Sequence, residues 1–217
     1  MSASAITFVR HGSLPQEYSC CFTGVNDIPL NPAGIRESEA IGRYLVLHRY
    51  SSAYSGTLRR VTETWREATR FAHNLPDPVL DPRLNEMDFG QWSLIPFPKL
   101  REMYPKDFFR WSFGEPEFTF PGGGKVADFT TRTREAFAEI REKGGNHPVI
   151  FSHGGVIMSL MADLLQMPRS EAFSVWIARG GIAELRRGNA SRWQLTALFR
   201  PRDFETGSPE SRNKQAL

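Results

Sequence analysis

The stretch "ITFVRHG", Ile6 to Gly12, starts as an apolar strand and breaks straight into an arginine, a histidine and a glycine. Ile6, Phe8 and Val9 suit a strand buried within a sheet, and Gly12 supplies the freedom for a sharp turn at its end. Arg10 and His11 then stand at the carboxyl edge of a sheet, where open α/β folds place ligands. Taken alone, the seven residues read equally well as a capped strand whose basic groups face water. The segment "VIFSHGG" at 149–155 tips the balance, because it is a second buried strand running into a histidine and glycines. In a parallel sheet both strand ends open on one edge, so His11 and His153 converge across a single crevice. A helix beginning just after His153 would direct its free N–H groups to the same place, which favours an anion.

Working outward, strands alternate with helices. Asn31 can cap and Pro32 can open a helix carrying Ile35, Ile41, Tyr44 and Leu45. Residues 52–56 read as a short strand, followed by Leu58, Val61, Trp65, Ala68, Phe71 and Leu75 at helical spacing until Pro76 and Pro78 stop it. Residues 92–124, rich in Trp, Phe, Pro and Gly, show no clean period and are expected to form a lid-like insertion with short helices. Val126, Phe129, Thr133, Phe137 and Ile140 mark another amphipathic helix, and an apolar one is expected from about Gly155 to Leu165. "GIAELRR" and "WQLTALF" form a hairpin-like pair. The expected fold is α/β, a three-layer α/β/α sandwich with a mostly parallel central sheet. Residues 1–200 make one domain that includes the insertion, and 201–217 a polar, flexible tail.

Composition excludes several classes of function. A chain of 217 residues can bury a real core, hiding about 70% of its extended-chain surface. With 27 Lys plus Arg against 24 Asp plus Glu, the formal charge of +3 is too slight to announce nucleic acid or a membrane surface. No basic leader with a long apolar run and no membrane-length apolar window is visible, so a cytoplasmic location is the default expectation. Cys20 and Cys21 are the only cysteines and are adjacent, which suits neither a long-range disulfide nor a four-ligand zinc site. They read as small, partly buried side chains. His48, His73 and His147 receive no catalytic role.

Two further segments bring chemistry to the same edge. "YSGTLRRVTET" offers Arg59 and Arg60 at a helix start, where adjacent residues diverge by about 100°, so one can face the crevice and the other water. Together with Arg10, the inward one would supply two planar forks suited to phosphoryl oxygens. "DPRLNEMDFGQW" offers Glu86 and Asp88 after a short strand, and a carboxylic acid there could protonate a leaving alkoxide.

"FVRHG", "YSGTLRR…ET", "LNEMDFGQW" and "SHGGV" resemble, in order, the four signatures of the histidine phosphatase superfamily, which includes phosphoglycerate mutases and phosphomonoesterases. The resemblance implies that His11 is the phosphorylated nucleophile, that Arg10, Arg60 and His153 hold the phosphoryl oxygens, and that Glu86 is the proton donor. Arg59 becomes the outward neighbour, and Thr23 and Gly24 match a substrate-contacting Thr-Gly. It implies no metal and no cofactor. The expected partner is a small phosphorylated substrate, not nucleic acid or membrane, and a homodimer is an allowed assembly. The expected activity is phosphomonoester hydrolysis through phosphohistidine. Phosphoglycerate mutase, α-ribazole phosphatase and a non-catalytic phosphoprotein-binding module are the alternatives. Departures from the family lie in the loop 13–22, where Ser13, Leu14 and Glu17 stand at unusual positions, and at Met158, where the family often has Arg. Glu17 and Asp27 are expected either to meet a substrate amine or hydroxyl or to face solvent. The aromatic insertion mostly packs against the sheet, with the remaining rings free to contact a bulky leaving group.

Overall fold

The structure is a computed structural model and describes residues 3–188 and 192–200. The expected tail at 201–217 lies outside the described residues. In chain order the elements are β1 (Ala5–Arg10), α1 (Pro32–Leu45), β2 (Ser52–Ser55), α2 (Arg59–Thr69), β3 (Pro78–Leu80), α3 (Phe97–Met103), α4 (Pro105–Ser112), α5 (Val126–Lys143), β4 (Pro148–Ser152), α6 (Gly154–Leu164), β5 (Ile182–Arg187) and β6 (Trp193–Phe199). The six strands form one sheet in the order β3-β2-β4-β1-β5-β6. The first four neighbours run parallel, and β5 and β6 pair antiparallel.

Alternation along β1 and β4 separates two apolar layers. Val9, Val149 and Phe151 pack with Ile41, Leu45, Val61 and Ala68 of α1 and α2. Ile6, Phe8 and Ile150 pack with Phe137, Ile140, Ile157 and Leu160 of α5 and α6 on the opposite face. This is the expected three-layer sandwich. Gly42 lets α1 approach α2 closely, since a Cβ there would overlap the Ala68 carbonyl.

Three boundaries differ from the sequence reading. Helix α2 ends at Thr69, with Arg70 as its C-cap, although apolar spacing continues to Leu75. Residues after the cap still contribute Ala72 and Leu75 to the core, so the apolar pattern outlasts the helix. Pro78, expected only to stop a helix, also opens the edge strand β3, where a missing N–H is tolerated. Helix α6 begins one residue early, at Gly154.

Residues 92–124 carry α3 and α4 and pack onto the α5–α6 face through the buried rings of Trp92, Phe118 and Phe120. Isolated bridges Cys21 to Pro96 and Phe22 to Ser93 tie this segment to the loop after β1. Among the described residues no helix is long and apolar enough to cross a membrane.

Candidate active site

The register of β1 and β4 sets the site. Arg10 lies opposite Ser152 in a parallel pair, so the next residues, His11 and His153, leave the sheet side by side. Their rings meet edge to face with centroids 5.3 Å apart. Gly12 and Gly34 then bring the turn after β1 against the start of α1, where a Cβ on Gly12 would come within 2.6 Å of the Gly34 carbonyl oxygen. Thr64 of α2 closes the corner: its Oγ1 accepts from the Gly12 N–H at 3.0 Å and donates to the Arg60 carbonyl at 2.7 Å.

The two histidines are held in opposite tautomers. His11 Nδ1–H donates to the Gly12 carbonyl at 2.8 Å, which leaves Nε2 with its lone pair. His153 Nδ1 instead accepts from Arg60 Nε–H at 3.2 Å, which puts the proton on Nε2. Both rings are buried. Burial first, then the charges of Arg60 and Arg10, hold His11 well below its ordinary range. Burial and Arg60 do the same to His153, with His11 and Arg10 adding to it. At neutral pH the pair therefore consists of a neutral ring with a free lone pair at Nε2 and a neutral Nε2–H donor.

Arg10 is buried at the strand end, where Nη1 donates to the Ile177 carbonyl at 2.6 Å and the guanidinium lies 4.3 Å from the Trp176 ring centroid. Burial and the neighbouring charge of Arg179 lower it to about 9. Its Nε and the Nε2 of His153 are buried donors without a partner among the described residues. Buried donors are seldom left unpaired, so two of them beside His11 suit the oxygens of an anion.

Arg60 is fully buried and departs in part from the expected role. It donates to His153 through Nε, to the Asn26 carbonyl through Nη1 at 2.7 Å and to the Gly24 carbonyl through Nη2 at 2.6 Å. Much of its fork thus fixes His153 and the loop 23–27. Burial lowers it to about 10, against the opposing pull of Glu86 and Asp27. Arg59 points outward as expected and pairs with Glu63 at 2.6 Å. Asp27 is exposed, one of its two expected placements, and its Oδ1 also accepts from the Arg59 N–H at 2.6 Å and so caps α2, whose N-cap residue Leu58 has no side chain for the purpose. Glu17 is exposed on a short 3-10 turn.

Glu86 occupies the helix start at which an anion was expected. Its Oε2 accepts from the Gly155 N–H of α6 at 3.0 Å and its Oε1 from the Met87 N–H at 3.0 Å. The helix N-terminus therefore holds the chain's own carboxylate. Gly155 permits this approach, because a Cβ there would overlap Glu86 Oε1. Asp88 has a local role, with its Oδ1 accepting from the Gly90 N–H at 2.9 Å.

Arg10, His11, Thr23 and Glu86 line a cavity of about 750 Å³. Gly24 lies behind Thr23 at φ +51°, a left-handed conformation suited to glycine, and presents its carbonyl to Arg60. Phe22, Phe97, Phe108 and Trp111 form an apolar wall, joined by Trp176 and Arg179. Three functional candidates escaped the sequence reading. Thr64 and Arg132 hold backbone, the latter donating to the Asn85 and Glu86 carbonyls at 2.8 and 2.9 Å. Arg179 faces the cavity from a turn. None carried a local motif that separates it from an ordinary helix or loop residue. Among the described residues no group of three or more His, Cys, Asp or Glu is placed to hold a metal ion.

The model of the histidine phosphatase superfamily (branch 1) matches residues 6–200. Phosphoserine phosphatase 1 of Hydrogenobacter thermophilus is 26% identical over 170 residues, covering 78% of this chain and 80% of that one. Glucosyl-3-phosphoglycerate phosphatase of Mycobacterium tuberculosis is 29% identical over 218 residues, covering 95% and 92%. The α-ribazole phosphatase of Shigella flexneri shares the fold with a TM-score of 0.76 at 22% identity, over 91% of this chain and 96% of that one.

Proposed function

This chain belongs to the histidine phosphatase superfamily, branch 1, and from that premise we propose how it acts: it is a phosphomonoesterase that passes the phosphoryl group through His11. The observation that carries the residue assignment is the opposed pair of tautomers, one presenting a lone pair at His11 Nε2 and the other a proton at His153 Nε2.

His11 Nε2 attacks phosphorus in line with the ester oxygen. The N–P bond forms as the P–O bond to the leaving group breaks, and the Glu86 carboxylate takes up the proton that a monoanionic phosphomonoester brings and passes it to the departing oxygen. A water then attacks the phosphohistidine, giving a proton to the Glu86 carboxylate. The N–P bond breaks, phosphate leaves with that proton, and His11 is restored in its neutral form. Arg10 and His153 Nε2–H meet the charge on the equatorial oxygens. Arg60 holds His153 and keeps an N–H on each Nη for the same oxygens. Thr23 stands beside the phosphoryl site on the cavity wall, and the insertion 92–124 covers the leaving group.

Labelling with a 32P-phosphomonoester tests the assignment. Acid-labile, base-stable label on the wild type, absent from His11→Ala, is the expected result. A fully labelled His11→Ala protein overturns it. Phosphoryl return to the substrate, as in a mutase, would show as an isomer formed without free phosphate. A phosphoprotein-binding module would release no phosphate from any monoester.

A further inference from the structure

Arg179 is a cation that the chemistry at His11 does not require. It lies on the turn leading into β5, half-buried, and lines the same cavity as Arg10, the apolar rings and Glu86. One Nη2–H donates to the Tyr18 carbonyl at 2.8 Å. Among the described residues no carboxylate pairs with it within 4 Å. Glu37, whose charge acts on it, is already engaged by the Ser13 N–H and Oγ–H at 2.7 Å each. Burial lowers Arg179, and its charge is in turn the second largest influence lowering Arg10. Two guanidinium groups thus face one cavity with a single carboxylate, Glu86, on its wall. A single bond to a carbonyl asks only for a neutral donor, and Glu37 opposes the cost of burying the Arg179 charge without pairing with it. A ligand group of opposite charge would offset that cost.

We propose that Arg179 receives a second anionic oxygen group, carried on the leaving half of the substrate, so that the enzyme selects phosphomonoesters ending in a carboxylate or a second phosphate. This rests on the phosphomonoesterase reading and names its substrate class. The phosphoryl group to be transferred sits on Arg10 and His153, the second anion on Arg179, and the connecting body lies against Phe22 and Trp111. Arg179 is then a specificity residue that touches the substrate, distinct from the groups that act on phosphorus.

The test is a matched set of primary alkyl phosphates: 3-hydroxypropyl phosphate, 3-phosphonooxypropanoate and propane-1,3-diol bisphosphate, each with its five-carbon homologue. Catalytic efficiency is measured for wild type, Arg179→Gln and Arg179→Lys, and affinity on the same three in a His11→Ala background. In wild type at least one anionic ester should exceed its hydroxyl counterpart, and Arg179→Gln should remove that advantage, raising KM about ten-fold or more. The hydroxyl ester should change less than about three-fold, and Arg179→Lys should recover part of the loss. The carboxylate and bisphosphate arms show which anion is preferred. A loss of the same size on all esters would mean that Arg179 serves the phosphoryl group or only holds Tyr18, and no anionic preference in either turnover or affinity would equally overturn the proposal. If the Arg179-dependent preference appears but His11→Ala keeps wild-type turnover, the anion site stands and the phosphohistidine reading falls.

Discussion

Arg60 Nε donates to His153 Nδ1 across 3.2 Å, and that bond decides which nitrogen of His153 carries its proton. The Gly12 carbonyl makes the opposite choice for His11. With ring centroids 5.3 Å apart, the two imidazoles would repel strongly if both were charged. Their neutrality follows from burial among arginines. The expected outcome in 15N-resolved imidazole spectra at pH 6.5 is a neutral Nδ1–H tautomer for His11 and a neutral Nε2–H tautomer for His153. An imidazolium pattern at either ring would refute the arrangement. In Arg60→Met, His153 should lose its fixed tautomer while His11 keeps its own.

Stability should depend on these same rings. In the unfolded chain a histidine gains its proton near pH 6.5, whereas folded His11, His153 and half-buried His147 are all depressed below that value. Below pH 6.5 the unfolded state therefore binds more protons, and the folded state loses stability as pH falls toward the folded values. The slope approaches about 1.4 kcal/mol per pH unit for each such ring. Denaturant midpoints between pH 7 and 5 should fall accordingly, and His153→Asn should flatten the curve. An unchanged slope in that variant would assign the effect elsewhere.

The paired arginines at the start of α2 should separate cleanly. Arg60→Lys removes a planar fork that reaches His153, Gly24 and Asn26 at once, so turnover should fall about a hundred-fold or more. Arg59→Ala loses an exposed pair with Glu63, which contributes about 0.5 kcal/mol or less to helix stability and nothing to the cavity. Its kcat/KM should stay within about three-fold of wild type. Comparable losses in both variants would contradict the buried position of Arg60.

This division was half legible in the sequence, and the physical reason is instructive. Arg10, His11 and His153 announce themselves because an uninterrupted apolar run ending in charge has few structural explanations, and parallel register then places the two histidines together. Neighbours on a helix face different ways, so only one of Arg59 and Arg60 could turn inward, and the resemblance to the family motif is what chose Arg60. Asp27 was not legible: a carboxylate in a loop gives no local sign that it caps a helix starting more than thirty positions later. The start of α6 was read as favouring an anion, and what the sequence could not show is that Glu86 supplies it from another part of the chain. Arg132, Thr64 and Arg179 act through tertiary contacts that no period or motif encodes.

Glu86 and Gly155 provide the last prediction. Glu86→Gln keeps the shape of the side chain but cannot supply or take the proton, so turnover of alkyl phosphates should fall about 10² to 10⁴-fold. With 4-nitrophenyl phosphate the leaving oxygen needs no proton, and the loss in the first half-reaction should shrink toward unity. Rapid-quench measurement of labelling separates that step from hydrolysis of the phosphohistidine, which still calls on Glu86 as base. In Gly155→Ala the new methyl group would overlap Glu86 Oε1, forcing the carboxylate off the start of α6 while leaving His11 and Arg10 in place. That variant should reproduce the dependence on leaving group seen in Glu86→Gln, although it still carries a carboxyl group. If both variants slowed alkyl and nitrophenyl esters alike in the labelling step, Glu86 would be a neighbour that shapes the cavity and the leaving-group proton would have to come from another residue.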